Sequence, residues 1–166
     1  SEGNDLSPVT HFARDPKGQI WFSTYGEGLF MLNAHDPGFK SKPFSEHQVI
    51  HTFEFVNDHE VLLGTGTGLM LCNLSGSDTI ISTTRIRNIP ETKITGIQKK
   101  KKGPGYYIST ENEGLFLVTL NKHNFQVTGI IPASDKHFVG VQQILEDSQS
   151  DLWIATMGYG LIRIKF

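Results

Sequence analysis

The chain has 166 residues, 37% of them hydrophobic and 19% charged, enough for one domain with a sizeable core and too apolar for disorder. A formal charge of −2 gives no general attraction to nucleic acid or anionic lipid, and the apolar runs are too short for a transmembrane helix. The single Cys72 excludes an internal disulfide and any multi-thiolate metal site.

Taken in order, the elements are four variants of one pattern. Ser1–Asp5 are polar and hold no signal peptide, so an exported parent would carry its targeting segment outside this sequence. Val9, Phe12 and Asp15 mark a first strand A, and Asp15-Pro16-Lys17-Gly18 is a turn in which Pro sets φ and Gly accepts φ > 0. Residues 20–32 (IWFSTYGEGLFML) follow as strand B ending in Thr24, a short turn, and strand C opening at Gly28-Leu29. A weaker strand D is expected near Lys42–Phe44. The second repeat begins at Ile50 and Phe53, with Val56 in place of the Asp, and runs through VLLGTGTGLML at 61–71. Its strand D is expected at Thr79–Thr84. The third begins at Ile94 and Ile97, turns through Lys99–Lys102 and Gly103-Pro104-Gly105, and runs through YYISTENEGLFLV at 106–118, with strand D near Phe125–Ile130. The fourth repeats the first spacing at Val141, Ile144 and Asp147, then reads LWIATMGYGLIRI at 152–164, with no strand D.

The threonines Thr24, Thr65, Thr110 and Thr156 stand 41, 45 and 46 residues apart, each followed by Gly-Leu at Gly28-Leu29, Gly68-Leu69, Gly114-Leu115 or Gly160-Leu161. No segment sustains a helical period, so the chain is all-β. A unit of this length with four antiparallel strands is a β-propeller blade, which cannot bury both faces alone and stacks on its neighbours. Trp21, Tyr106, Tyr107 and Trp153 suit the space between blades, and the small residue before each Thr lets sheets approach closely. The repeats span approximately residues 7–46, 47–90, 91–136 and 137–166, the last incomplete.

Asp-x-x-Gly-x-Ile-Trp-Phe-Ser-Thr-x-Gly-x-Gly-Leu at Asp15–Leu29 resembles the two-component regulator propeller repeat, as does Asp147–Leu161; the other two repeats are degenerate but in register. Asp151 is read as standing where a Gly is usual, and Thr67 as sitting in a shortened turn. The resemblance implies an extracytoplasmic, periplasmic sensor region of a hybrid sensor histidine kinase, normally built from seven-bladed propellers that respond to breakdown products of complex carbohydrates. The kinase itself would lie outside this sequence. Four repeats then read as part of a larger propeller, with a closed four-bladed ring as the alternative.

The repeated threonines are expected to bond neighbouring backbone at strand ends rather than act as nucleophiles, since four equivalent hydroxyls argue against one activated one. His47 and His51 are four apart, a zinc spacing only on a helix, so no metal is expected. Asp15, Gly18 and Trp21 are similar to the Asp-box of sialidase propellers, but with the wrong spacing. The B–C turns and D–A links of a propeller share one face. This gathers Tyr25, Glu27, Thr67, Glu111, Asn112, Glu113, Met157 and Tyr159 on a rim, where rings and carboxylates suit a sugar. The leading expectation is a non-catalytic, cofactor-free module sensing oligosaccharides, with contacts to the rest of the sensor and self-association through open blade faces, and no nucleic-acid or membrane contact. The alternatives are an interaction propeller without a small ligand, and a propeller hydrolase or lyase.

Overall fold

Alternating apolar residues bounded by Gly- and Asp-rich turns give short antiparallel strands, each paired with its sequence neighbour. The computed structural model describes residues 7–32, 39–42, 49–75, 80–121 and 124–166. The first sheet runs β1 (Val9–Arg14), β2 (Ile20–Thr24), β3 (Gly28–Leu32) and β4 (Phe39–Lys42), in that spatial order. The second holds β5 (Ile50–Asn57), β6 (Glu60–Thr65), β7 (Gly68–Leu74) and β8 (Ile80–Arg85). The third holds β9 (Ile94–Lys99), β10 (Tyr106–Thr110), β11 (Gly114–Asn121) and β12 (Asn124–Pro132). The fourth has three strands: β13 (Val141–Glu146), β14 (Leu152–Thr156) and β15 (Gly160–Ile164). Among the described residues the one helical element is a 3-10 turn, Lys136–Phe138, and no helix is long and apolar enough to cross a membrane.

Two expectations need correction. Strand D of the first repeat is Phe39–Lys42, earlier than the expected Lys42–Phe44; Phe44, like Thr79 and His47, lies outside the described residues. In the fourth A–B turn, Ser150 and not Asp151 takes the position of Gly18. Gly18 has φ +83° and Ser150 φ +72°. Both donate their N–H back to the turn's first carbonyl, Gly18 to Asp15 at 2.9 Å and Ser150 to Asp147 at 3.2 Å. Asp151 instead matches Gln19, whose carbonyl closes the first turn as that of Asp151 closes the fourth.

The same irregularity recurs in every sheet. The strand-B threonine faces the first residue of strand A (Val9, Ile50, Ile94 or Val141), and the next residue is skipped in the pairing. The skipped residues Thr10, His51, Thr95 and Gln142 form a β-bulge, which increases the local twist. Where the bulge residue is Thr, its hydroxyl meets the serine before the strand-B threonine: Thr10 with Ser23 at 2.8 Å, Thr95 with Ser109 at 3.0 Å.

The chain divides into two units, Ser1–Gly66 with Met70–Thr84, and Thr67–Leu69 with Arg85–Phe166. In the first unit, Trp21, Leu29 and Met31 of the first sheet pack on Ile50, Phe53, Phe55, Val61, Leu63 and Cys72 of the second. Trp21 and Phe55 lie 5.5 Å apart, and Thr10 Oγ1 donates across the same seam to the carbonyl of Ile50 at 2.6 Å. In the second unit, Tyr107, Leu115 and Leu117 of the third sheet pack on Val141, Ile144, Leu152 and Ile154 of the fourth. Close approach there depends on Gly96, where a Cβ would stand 2.8 Å from Ser109 Oγ and 3.3 Å from Ile144 Cγ1. Trp21 and Tyr107 thus fill inter-sheet space as expected. Trp153 does not: it is half-buried on the face of the fourth sheet turned away from the third.

Candidate functional site

Turn residues are placed by the backbone bonds around them. In the first unit, Tyr25 donates its N–H to the carbonyl of Pro8 at 3.0 Å. Its side chain is 62% exposed. Glu27 is also exposed, and its Oε2 accepts the N–H of Ser7 at 3.1 Å. Thr67, in the second B–C turn, is exposed.

In the second unit one string of hydrogen bonds crosses both B–C turns. Glu111 N–H donates to the carbonyl of Lys93, Gly140 N–H to that of Glu111, and Met157 N–H to that of Gly140, each at 2.9 Å. The string links the backbone of Glu111 in the third turn, through Gly140, to that of Met157 in the fourth. Side chains add to it. Lys93 Nζ lies 3.3 Å from Glu111 Oε1, and the Tyr159 ring meets His137 edge-on, with centroids 5.4 Å apart. His137 Nδ1 is 2.9 Å from Asp135 Oδ1, which also accepts the His137 N–H at 3.1 Å. That backbone bond, then the ring, holds the Asp135 carboxyl below the usual range. Tyr159 thus packs on His137 while its side chain stays half exposed. Lys93, Asp135, His137 and Gly140 are absent from the sequence-based set. Their signal is topological: Lys93, just before strand A, and the D–A link residues Asp135, His137 and Gly140 lie on the B–C face of a propeller.

The threonines divide. Thr110 Oγ1 donates to the Gly114 carbonyl at 2.8 Å and accepts the Glu113 N–H at 2.9 Å, and Thr156 Oγ1 donates to the Gly160 carbonyl at 3.0 Å. Thr24 departs from the expectation: its hydroxyl is buried without a hydrogen-bond partner among the described residues. The repeat residues Thr24, Gly28, Leu29, Thr65, Gly68, Leu69, Thr110, Gly114 and Leu115 are buried, whereas Gly160 and Leu161 are exposed.

The aspartate of the A–B turn proves structural. Asp15 Oδ2 accepts the indole N–H of Trp21 at 3.0 Å and Oδ1 the N–H of Gln19 at 2.8 Å. Asp147 repeats this with Trp153 at 2.9 Å and Asp151 at 3.0 Å, adding the N–H of Gln149 at 2.8 Å. The Trp153 bond is the largest influence holding the Asp147 carboxyl below its ordinary value. These carboxylates tie each turn to the strand-B tryptophan. Among the described residues no group of three His, Cys, Asp or Glu converges as a metal site requires.

Residues 5–26 match the family model described as the two component regulator propeller. The search of curated proteins finds no match. Among solved structures, the chain is similar to the extracellular domain of BT3049, a proposed hybrid two component system of B. thetaiotaomicron, at 22% identity and a TM-score of 0.73. It is also similar to the extracellular domain of a second such system from that organism, BT4673, at 18% identity and a TM-score of 0.69. Each match covers 95% of this chain and 21% of the other, so the chain spans about a fifth of those proteins' length. The C-terminal WD40 domain of Sif2 matches at 12% identity and a TM-score of 0.68, over 96% of this chain and 47% of that one. At these identities the likeness shows the fold, that of β-propeller blades. The family match thus falls on the first repeat, and three further repeats follow it in register.

Proposed function

We propose that the chain is part of the ligand-sensing region of a two-component sensor, that it works outside the cytoplasm, in the periplasm, and that it binds oligosaccharide without catalysing its cleavage. The observation that carries this reading is the turn surface of the second unit. The exposed Tyr159 ring is braced by His137, which bonds the Asp135 carboxylate, and Glu111, paired with Lys93, is joined through Gly140 to Met157 of the same turn as Tyr159. A braced ring offers a flat apolar face at little entropic cost, and the carboxylates accept hydroxyl hydrogens. Asn112, Glu113 and Met157 extend the surface, and Tyr25 with Glu27 form the equivalent turn of the first unit. Binding would pass a signal only through a difference in affinity between two conformations of the complete sensor.

The test is calorimetry of the chain against a panel of neutral and acidic oligosaccharides from plant and host glycans. The expected result is binding by at least one, weakened by about 1 kcal/mol, roughly fivefold, in Tyr159→Ala. Binding unchanged in both Tyr159→Ala and Tyr25→Ala, with folding intact, would move the site off these turns. Cleavage of any bound sugar would overturn the non-catalytic reading.

A further inference from the structure

His137 sits in the link between β12 and β13 with one ring nitrogen committed and the other open. The link is tied down at several points. Asp135 Oδ1 accepts the His137 N–H at 3.1 Å, and the Asp135 carbonyl accepts the Phe138 N–H at 3.0 Å. The Asp135 N–H itself donates to the Pro132 carbonyl at 3.1 Å. Phe138 packs on the core of the unit, and Gly140 is bonded to both Glu111 and Met157. On this base the ring Nδ1 lies 2.9 Å from the same Asp135 Oδ1. The Asp135 carboxyl is held below its usual range, so it is an acceptor alone, and Nδ1 carries a hydrogen in either charge state of the ring. Nε2 has no hydrogen-bond partner among the described residues, and 55% of the side chain is exposed. It is therefore the atom that changes with pH: a bare acceptor on the neutral ring, an N–H donor on the protonated one.

We propose that His137 makes this turn surface selective for the charge of the sugar: acidic oligosaccharides, those carrying uronate carboxylates, bind when its ring is protonated and are disfavoured when it is neutral. The inference rests on the sugar-binding reading above and deepens it. A sugar hydroxyl both donates and accepts, so it can meet Nε2 in either state. A uronate carboxylate only accepts. Against a neutral ring it meets a lone pair, with the uncompensated Asp135 charge beside it, and is repelled. Protonation places a hydrogen on Nε2 and offsets the Asp135 charge in the same event. The other charged or titratable groups about the ring are Lys136 on its own link and the Tyr159 phenol from the fourth turn. The third turn, joined through Gly140, adds Glu113 and a Glu111 paired with Lys93. The charge of the ring thus decides whether a sugar carboxylate finds a donor or a lone pair at Nε2.

The experiment is calorimetry of the chain with galacturonate and glucuronate oligosaccharides, with the same sugars as methyl esters, and with neutral oligosaccharides. Each is titrated on both sides of the ordinary histidine range, at about pH 5.5 and about pH 7.5. The free acid should bind about tenfold more tightly at the lower pH, the worth of one charge-assisted hydrogen bond. Binding should take up a proton, read from the change in heat between buffers of different ionisation enthalpy. The methyl ester keeps the shape and hydroxyls of the sugar and should bind alike at both pH values. His137→Gln is at an exposed position and should keep the wild-type far-UV circular dichroism while losing both the pH difference and the proton uptake. A uronate that binds equally at both pH values overturns the proposal, as does a pH dependence that survives in His137→Gln or is shared by the ester. Binding of neutral sugars alone, at both pH values, also overturns it while the sugar-binding reading stands. Absence of binding by every sugar at either pH removes that reading and this one with it.

Discussion

The bond from Trp21 to Asp15 predicts a measurable coupling. Asp15 is 8% exposed and Trp21 fully buried, so neither group can exchange its partner for bulk water. Asp15→Ala strands the indole N–H, and an unsatisfied buried donor of this kind costs about 1–3 kcal/mol. The second bond lost, from Gln19 N–H, costs less because Gln19 is half-buried and reaches solvent. Trp21→Phe keeps most of the ring but leaves Asp15 Oδ2 buried without its donor. The double variant removes both ends of the bond, so the two effects should fall short of additive by about 1–2 kcal/mol. Urea unfolding followed by far-UV circular dichroism, on wild type and the three variants, measures this. The matching cycle at Asp147 and Trp153 should give a smaller coupling, because Trp153 is half-buried and its partner has water nearby. Additive effects at Asp15 and Trp21, or equal coupling at the two sites, would refute the reasoning.

Gly114→Ala should cost about 3 kcal/mol or more, because φ is +92° there and the new Cβ would stand 2.0 Å from the Ile131 carbonyl oxygen. Gly158→Ala, at φ +108° in open space, should cost only about 1 kcal/mol by the same urea assay. Burial pushes the Cys72 thiol up to about 12, so a disulfide reagent at neutral pH should label it only as fast as the first unit opens, and at once in denaturant. Acid should destabilise the chain in two windows. The carboxyl of Asp147 is held low by the Trp153 indole, so its contribution is present above 3.8 and lost as pH falls through its lower folded value. Burial lowers the folded pKa of His11, so stability also declines as pH falls from 6.5 towards that value, where the unfolded chain binds the extra proton. Urea midpoints against pH should show both limbs, with Asp147→Asn flattening the lower one.

Legibility in the sequence followed the physics of each feature. Strands B and C could be read because Thr and Gly-Leu punctuate them in every repeat and pairing of neighbours needs no distant information. Strand D of the first repeat was misplaced because nothing repeats between Leu32 and Ile50 to set its register. The bulges at Thr10, His51, Thr95 and Gln142 left a trace that period-two reading passes over: Val9 to Phe12 and its counterparts step by three residues where strand B steps by two. Asp15 and Asp147 looked like turn residues. Their second role, holding a tryptophan six residues on, depends on the turn folding the carboxylate back over strand B. The contact between Tyr159 and His137 was not legible because His137 lies in a link whose sequence has no counterpart in the other repeats. The exposure of Trp153 was hidden by its likeness to Trp21: identical motifs are buried or open according to which sheet lies beside them.

The sensing account stands most directly on where sugar binds. Amide-shift mapping of the isotope-labelled chain, titrated with the oligosaccharide panel, locates the contact without any substitution. The account predicts shifts concentrated in the second unit at Glu111–Glu113, His137, Gly140 and Met157–Tyr159, saturating with concentration while the sugar is recovered intact. Shifts confined to other residues, or no saturable shift with any oligosaccharide, would contradict it.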